Sequence, residues 1–103
     1  MGRLIYGRAM QIDTGKQALE EALAAVAANV RLLRSLRGMT QAELAKAAGV
    51  QRQFIWNIER RTNGIEPRLN TLARVAESLG VSVSQITRRI ELVAGPSGVA
   101  KLE

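Results

Sequence analysis

Glycines and helix-capping residues divide the middle of this chain into short helices, and this punctuation limits the folds that the chain can adopt. Thr40 and Glu43 have the spacing of a capping box, in which each side chain bonds to the other residue's backbone N–H at the start of a helix. Gly38, Gly49 and Gly80 each follow apolar residues at helical spacing, as expected just beyond a helix C-terminus. The sequence therefore predicts an all-α fold of five helices.

The first helix is predicted to begin near residue 14, because Thr14 and Gln17 have the spacing of another capping box. Its apolar residues step by four and three positions and share one face: Leu19, Leu23, Val26, Val30 and Leu33. The preceding residues, Arg3 to Ile12, could form a short strand or an ordered arm. Residues 94–103 are expected to form a flexible C-terminal tail.

Composition restricts the functions that this fold could serve. The chain has 15 Lys and Arg against 9 Asp and Glu, a net charge of +6, and it contains neither His nor Cys. The commonest general base, the thiolate nucleophile and the usual metal ligands are therefore absent. No apolar run approaches the roughly 20 residues of a membrane span, and no signal peptide is evident. We expect a cytoplasmic, non-enzymatic protein without cofactor or metal, whose charge favours a polyanion or serves only solubility.

The most informative pattern lies between Gln41 and Arg60. Two short helices flank Gly49 there, in the spacing of a helix-turn-helix. Ala45 is small enough for the two helices to cross closely, and Gly49 permits the positive φ of a tight turn. Apolar residues would fix the angle between the helices: Leu44, Ala48, Val50, Ile55 and Ile58.

The segment from Val26 to Thr87 resembles the helix-turn-helix family of phage lambda repressor and Cro, also called the XRE family. The resemblance covers about 60% of the chain. It rests on Thr40-Gln41-x-x-Leu44-Ala45-x-x-x-Gly49-Val50, on Ile55-x-x-Ile58-Glu59-Arg60, on Pro67-x-Leu69-x-Thr71-Leu72 and on Leu79-Gly80-Val81-Ser82. It implies a DNA-binding domain at residues 23–93, after an N-terminal extension at residues 1–22.

The resemblance also implies roles for individual residues. The third helix would enter the major groove, where Arg can pair with guanine and Gln or Asn with adenine. The base-contacting residues would be Gln51, Arg52, Gln53, Trp56 and Asn57. The phosphate-contacting residues would be Thr40, Gln41, Arg60, Arg61, Asn63 and Arg68. Arg34 and Glu59 would form an ion pair that orients the third helix without touching DNA.

Several features depart from the family pattern. Gln51 stands where a capping Ser or Thr is common, and the loop at residues 61–67 is longer than expected. Trp56 stands where a small or polar residue is usual. It could cover apolar surface at the helix edge, contact a thymine methyl or sugar, or lie in a partner interface.

Two segments could hold two copies together. The N-terminal extension could reach the minor groove as an arm, but its apolar residues Leu4, Ile5 and Tyr6 favour a dimerisation element slightly. The apolar residues at the end of the domain could instead supply the contact: Ile86, Ile90, Leu92 and Val93. Ile86 and Ile90 could equally do no more than close the core of one copy.

The predicted function is a sequence-specific transcriptional regulator, a dimeric repressor that reads a palindromic operator. Its partners would be double-stranded DNA and a second copy of the chain, and no small-molecule ligand is expected. Phage repressors, antitoxins and restriction-modification controllers all fit this pattern. The alternative is a helical interaction module, such as an antitoxin or adaptor that binds a toxin or another protein.

Overall fold

The five helices predicted from the sequence are present in the computed structural model, which describes residues 4–62, 64–90, 92–94 and 100–102. Side-chain positions are described for residues 15–62 and 64–90. The helices are α1 (Leu4–Leu36), α2 (Gln41–Ala48), α3 (Arg52–Arg60), α4 (Leu69–Ser78) and α5 (Val83–Ile86). Two short strands follow, β1 (Leu92–Ala94) and β2 (Ala100–Leu102). The prediction of a five-helix, helix-turn-helix domain is therefore confirmed.

Helix α1 is longer than the sequence indicated. It spans 33 residues from Leu4, so the predicted start near Thr14 is wrong, and so is the short strand considered for the residues before it. The helix also crosses the expected boundary between residues 22 and 23 without a break. Once a helix has formed, each added residue gains a hydrogen bond, and the stretch before Thr14 contains no Pro. A capping box marks a possible start but does not end a helix that begins upstream.

The hydrophobic core lies beside the C-terminal half of α1. Helix α2 packs against α3 and α4, whereas α1 packs against α3 and α5. The buried apolar residues come from all five helices and the turn before α5: Val26, Val30, Leu33, Leu44, Ala45, Ala48, Ile55, Ile58, Leu72, Val75, Ala76, Leu79, Val81 and Ile86. Residues 15–20 are exposed, so this part of α1 extends beyond the core.

The turn between α2 and α3 has the expected chemistry. The Thr40 hydroxyl accepts from the Glu43 N–H at 3.0 Å, and the Glu43 carboxylate accepts from the Thr40 N–H at 2.9 Å. Gly49 ends α2 with φ at 71°, a conformation that a residue with a Cβ rarely adopts. The Val50 N–H then donates to the Ala45 carbonyl at 2.9 Å. This turn sets the direction in which α3 leaves α2.

The end of the chain differs from the flexible tail expected at residues 94–103. β1 and β2 pair antiparallel, with Leu92 opposite Leu102 and Ala94 opposite Ala100. Both strands follow the helical domain in the chain.

Candidate nucleic-acid interface

Helix α3 separates its polar and apolar residues onto two sides. Ile55, Ile58 and Glu59 are buried against the domain. Phe54 also packs against the core, whereas at about 100° per residue the remaining polar positions and Trp56 lie toward the opposite side. Arg52, Gln53 and Arg60 are exposed there, Trp56 and Asn57 are partly exposed, and Gln51 precedes the first turn. The structure thus brings all five predicted base-contacting residues onto one accessible surface, which we call the α3 face.

An ion pair joins α1 to the C-terminal end of α3. The Arg34 guanidinium donates to both Glu59 carboxylate oxygens, from Nε to Oε2 at 2.7 Å and from Nη2 to Oε1 at 3.0 Å. Its Nη1 also donates to the Met39 carbonyl at 2.9 Å, in the turn before α2. Glu59 is only 4% exposed, so the paired carboxylate is shielded from solvent. The structure therefore contains the pair that the family resemblance implied.

The electrostatics of Glu59 follow from these contacts. Burial alone would raise the pKa of the Glu59 carboxyl, because a shielded carboxylate loses hydration. Hydrogen bonds from Arg34 and Gln41, together with the positive charges of Arg34 and Arg31, outweigh burial and hold the pKa of Glu59 below its ordinary value. The carboxylate in turn raises the pKa of Arg34. Both groups remain charged at neutral pH.

Arg31 adds a contact that the sequence analysis did not identify. Its Nη2 donates to the backbone carbonyl of Glu59 at 2.6 Å, close to the C-terminal end of α3. Arg31 and Arg34 are three residues apart and share one face of α1, and this spacing was the available signal. Arg74 was also missed. Its Nε donates to the Ala48 carbonyl at 3.2 Å and ties α4 to the end of α2.

Gln41 connects the ion pair to the α3 face. Its Nε2 donates to Glu59 Oε1 at 3.1 Å, and its Oε1 lies 3.5 Å from Arg52 Nη1, a long hydrogen bond. The side chain expected to contact phosphate is thus engaged inside the protein. Its amide has a second hydrogen that remains available as a donor.

Two further contacts order the surface around α3. The Arg60 guanidinium lies over the Trp56 ring, 4.9 Å from the ring centroid, in a cation–π arrangement. The Asn57 side-chain oxygen Oδ1 accepts from Gln53 Nε2 at 3.1 Å and from Thr62 Oγ1 at 2.8 Å. Arg60 therefore stands over the ring of Trp56, and Asn57 links the α3 face to the residues that follow the helix.

The remaining predicted phosphate contacts lie at the ends of helices. Thr40 caps α2, Arg61 ends α3 in a left-handed conformation, and the exposed Arg68 precedes α4. Arg61 Nη2 forms an ion pair with Glu20 on α1, which the sequence analysis did not anticipate. Asn63 lies outside the described residues.

Two kinds of feature are absent from the described part of the chain. None of its helices is long and apolar enough to cross a membrane. Within those same residues, no cluster of three or more acidic side chains is placed to hold a metal ion.

Comparisons with known proteins match this geometry. A family model described as helix-turn-helix matches residues 30–86. An immunity repressor protein of Bacillus phage phi105 is 35% identical over 68 residues, which are 66% of this chain and 46% of the repressor. The control protein C.SmaI of Serratia marcescens is 33% identical over 64 residues, 62% of this chain and 74% of that protein.

A solved structure shows a similar fold. It is the structure of SinR, described as the master regulator for biofilm formation, in complex with DNA. The sequence of SinR is 30% identical to this chain, and the two structures superpose with a TM-score of 0.55. The match covers 59% of this chain and 95% of SinR as solved. The chain thus spans about half of the phage repressor and most of the other two proteins. The residues that the family model matches, 30–86, contain the turn between α2 and α3 and the α3 face.

Proposed function

Because the chain belongs to the helix-turn-helix family, we propose that it is a sequence-specific DNA-binding regulator that represses transcription from a palindromic operator. The observation that carries this proposal is the α3 face, a row of hydrogen-bonding side chains on a helix whose other side is fixed to α1. The similar proteins are named as a repressor, a control protein and a regulator solved with DNA, and these names support the same function.

The proposed base contacts follow from the chemistry of each side chain. Arg52 would donate two hydrogen bonds to one guanine, while Gln53 and Asn57 would each recognise an adenine. Gln53 and Asn57 are bonded to each other in the free protein, so one bond would be exchanged for base contacts. Gln51 would reach a base at the start of the helix. Trp56 would contact a thymine methyl or a sugar.

The proposed phosphate contacts flank the α3 face. The Thr40 hydroxyl accepts a capping bond but still has a hydrogen to donate, and Gln41 has its second amide hydrogen. Arg60 and Arg61 would reach phosphates beyond the end of α3. Arg68, with Asn63, would extend the contacts along the DNA backbone.

A groove beside α1, on the side of that helix away from α3, could hold the contact of a homodimer. The groove has a volume of about 800 Å³, and its lining includes Ala18, Ala22, Ala25, Arg88, Arg89 and Ile90. Ala22 lies nine residues before Arg31, and Ala25 lies nine residues before Arg34, the two arginines that bind α3. Nine residues at about 100° each place them on the opposite side of the helix, so an occupant of the groove would leave the α3 face open.

A second copy of the chain is the occupant that we propose for this groove. Glu21 lines one wall, whereas Arg88 and Arg89 line the other. Under a two-fold axis, each copy would present its acidic wall to the basic wall of its partner. Such a dimer would present two α3 faces to the two halves of a palindrome.

Selection of bound sequences from random duplexes tests the whole proposal. We expect enrichment of a palindrome whose half-sites lie about one helical turn apart. Affinity should also fall by about three to five decades between roughly 50 and 200 mM salt if some 6–10 phosphates are neutralised. Absence of enrichment, with binding that is insensitive to salt, would contradict it and would favour the alternative, a helical module that binds a partner protein.

A further inference from the structure

The ion pair between Glu20 and Arg61 joins two parts of the molecule that are far apart in sequence. Glu20 lies in the exposed part of α1, ahead of the residues that enter the core, and Arg61 is the residue immediately after α3. Both side chains remain open to solvent, at 56% exposed for Glu20 and 40% for Arg61. A pair in such a setting is weak, because water and salt screen it and both side chains lose rotational freedom.

The position of Arg61 gives this weak pair a consequence for DNA binding. Arg61 follows Arg60 directly, and its backbone φ of 55° turns the chain away from the axis of α3. A cation at the end of a recognition helix is placed to bind a phosphate beside the groove. The Glu20 carboxylate binds the same cation within the protein. The carboxylate and a DNA phosphate would therefore compete for the Arg61 guanidinium.

We propose that Glu20 is a positioning residue that competes with DNA phosphate for Arg61 and thereby limits the affinity of the protein for DNA. This inference rests on the proposed DNA-binding function. Glu20 acts through Arg61, because its carboxylate holds the guanidinium that would otherwise bind the phosphate. In the free protein it holds the guanidinium against α1, and on binding the guanidinium must leave the carboxylate before it can neutralise a phosphate.

The surroundings of the pair allow this exchange. Glu20 and Arg61 line a cleft of about 210 Å³ between α1 and the segment before α4. The floor of the cleft is apolar and includes Leu23, Val26, Ile58 and Ile65. Because both charged side chains are open to solvent, the Arg61 guanidinium can leave Glu20 without leaving a buried charge unpaired. Glu66 lines the same cleft, so it is the carboxylate that could replace Glu20 if Glu20 were removed.

The test compares the affinity of charge-matched variants for a labelled random-sequence duplex, since phosphate contacts do not require an operator. The variants are Glu20→Gln and the control Glu77→Gln, which removes one exposed carboxylate from α4. Each is measured in three backgrounds: the original chain, Glu66→Gln and Arg61→Gln. The Glu66→Gln background prevents a second carboxylate from masking the effect, and circular dichroism checks that every variant keeps its helices.

We expect Glu20→Gln to bind DNA about two- to five-fold more tightly than Glu77→Gln, the range that corresponds to an exposed ion pair. The gain should be larger at about 50 mM than at about 200 mM salt, because it comes from a phosphate contact. It should vanish in the Arg61→Gln background. A purely structural role of Glu20 would not make its effect depend on Arg61 and on salt in this way.

Three results would overturn the inference while leaving the proposed function intact. In the first, Glu20→Gln and Glu77→Gln bind DNA with equal affinity both in the original chain and in the Glu66→Gln background. In the second, the gain from Glu20→Gln persists in the Arg61→Gln background. In the third, Glu20→Gln binds DNA more weakly than Glu77→Gln. If the original chain binds no duplex at all, the proposed function fails and this inference fails with it.

Discussion

The two ends of α3 are held very differently. At the C-terminal end, Arg34 and Gln41 bind the Glu59 carboxylate, Arg31 binds the Glu59 carbonyl, and Thr62 donates to Asn57. At the N-terminal end, Gln51 makes no side-chain capping bond. Phe54 and Ile55 pack the first turn against the core, but among the described residues its polar side chains make only one long hydrogen bond to another helix, from Arg52 to Gln41.

This difference suits a helix that must be positioned accurately and must also adapt to its target. Contacts at the buried end set the angle and depth of α3 relative to the domain. In the proposed complex with DNA, bases would order the exposed side chains of the first turn. We therefore assign stability to the Glu59 end and recognition to the Gln51 end, and the following predictions test that division.

The largest effect is expected from breaking the ion pair at the fixed end. Arg34→Met leaves the Glu59 carboxylate buried without its main partner, and we expect a loss of about 3 kcal/mol in the free energy of unfolding. Urea denaturation measures this loss. Arg37→Met, which removes an exposed cation just after α1, is the control. Equal stability of the two variants would show that Glu59 does not depend on Arg34.

The same pair should make stability depend on pH in the acid range. The pKa of Glu59 is lower in the folded protein than in the unfolded chain, so the unfolded chain binds the proton more readily. The stabilisation is complete above the unfolded pKa of about 4.3 and is lost as the pH falls through the lower folded pKa. Urea denaturation at a series of pH values should show a shallower acid loss for Glu59→Gln than for Glu77→Gln. Parallel curves would contradict the prediction.

The division within α3 also explains which features could be predicted from the sequence. Thr40, Glu43 and Gly49 act through local backbone chemistry, so their spacing alone predicted the ends of α2. Arg34 and Glu59 are 25 residues apart, and only the family resemblance indicated that they meet. The pair of Glu20 and Arg61 has no local pattern and depends on how α1 crosses the loop after α3.

Two features that the sequence did not reveal reflect competition between local and longer-range effects. The capping box at Thr14 was a valid local signal, but the helix that starts at Leu4 passes through it. The resemblance implied that Gln41 contacts phosphate, and it did not reveal the bonds that Gln41 makes to Glu59 and Arg52. A side chain that lies between two helices forms hydrogen bonds with the groups that tertiary packing places near it, as Gln41 does with Glu59 and Arg52.

An intermediate effect is expected at the recognition end. Arg52→Ala should weaken binding to the selected operator by about 1–3 kcal/mol and relax the preference at one base pair in each half-site. Its free energy of unfolding should stay close to that of the original chain, because Arg52 is exposed and makes only one long bond. Lys46→Ala, which removes an exposed cation from α2, is the control for net charge. A uniform loss on all sequences would reassign Arg52 to a phosphate.

The smallest effect is expected from capping the free end of α3. Gln51 occupies the N-cap position in an extended conformation, with φ at −82° and ψ at 148°, but its side chain satisfies none of the exposed N–H groups. Gln51→Ser places a hydroxyl where it can accept from the first turn, so we expect a gain of about 1 kcal/mol in the free energy of unfolding. Gln51→Ala, which cannot cap, should show no such gain.

Operator affinity should nevertheless fall in both variants, because each loses the long Gln side chain that is proposed to reach a base. If Gln51→Ser instead bound the operator more tightly, order in the first turn would matter more for recognition than the contact that Gln51 makes, and the division between the two ends of α3 would have to be withdrawn.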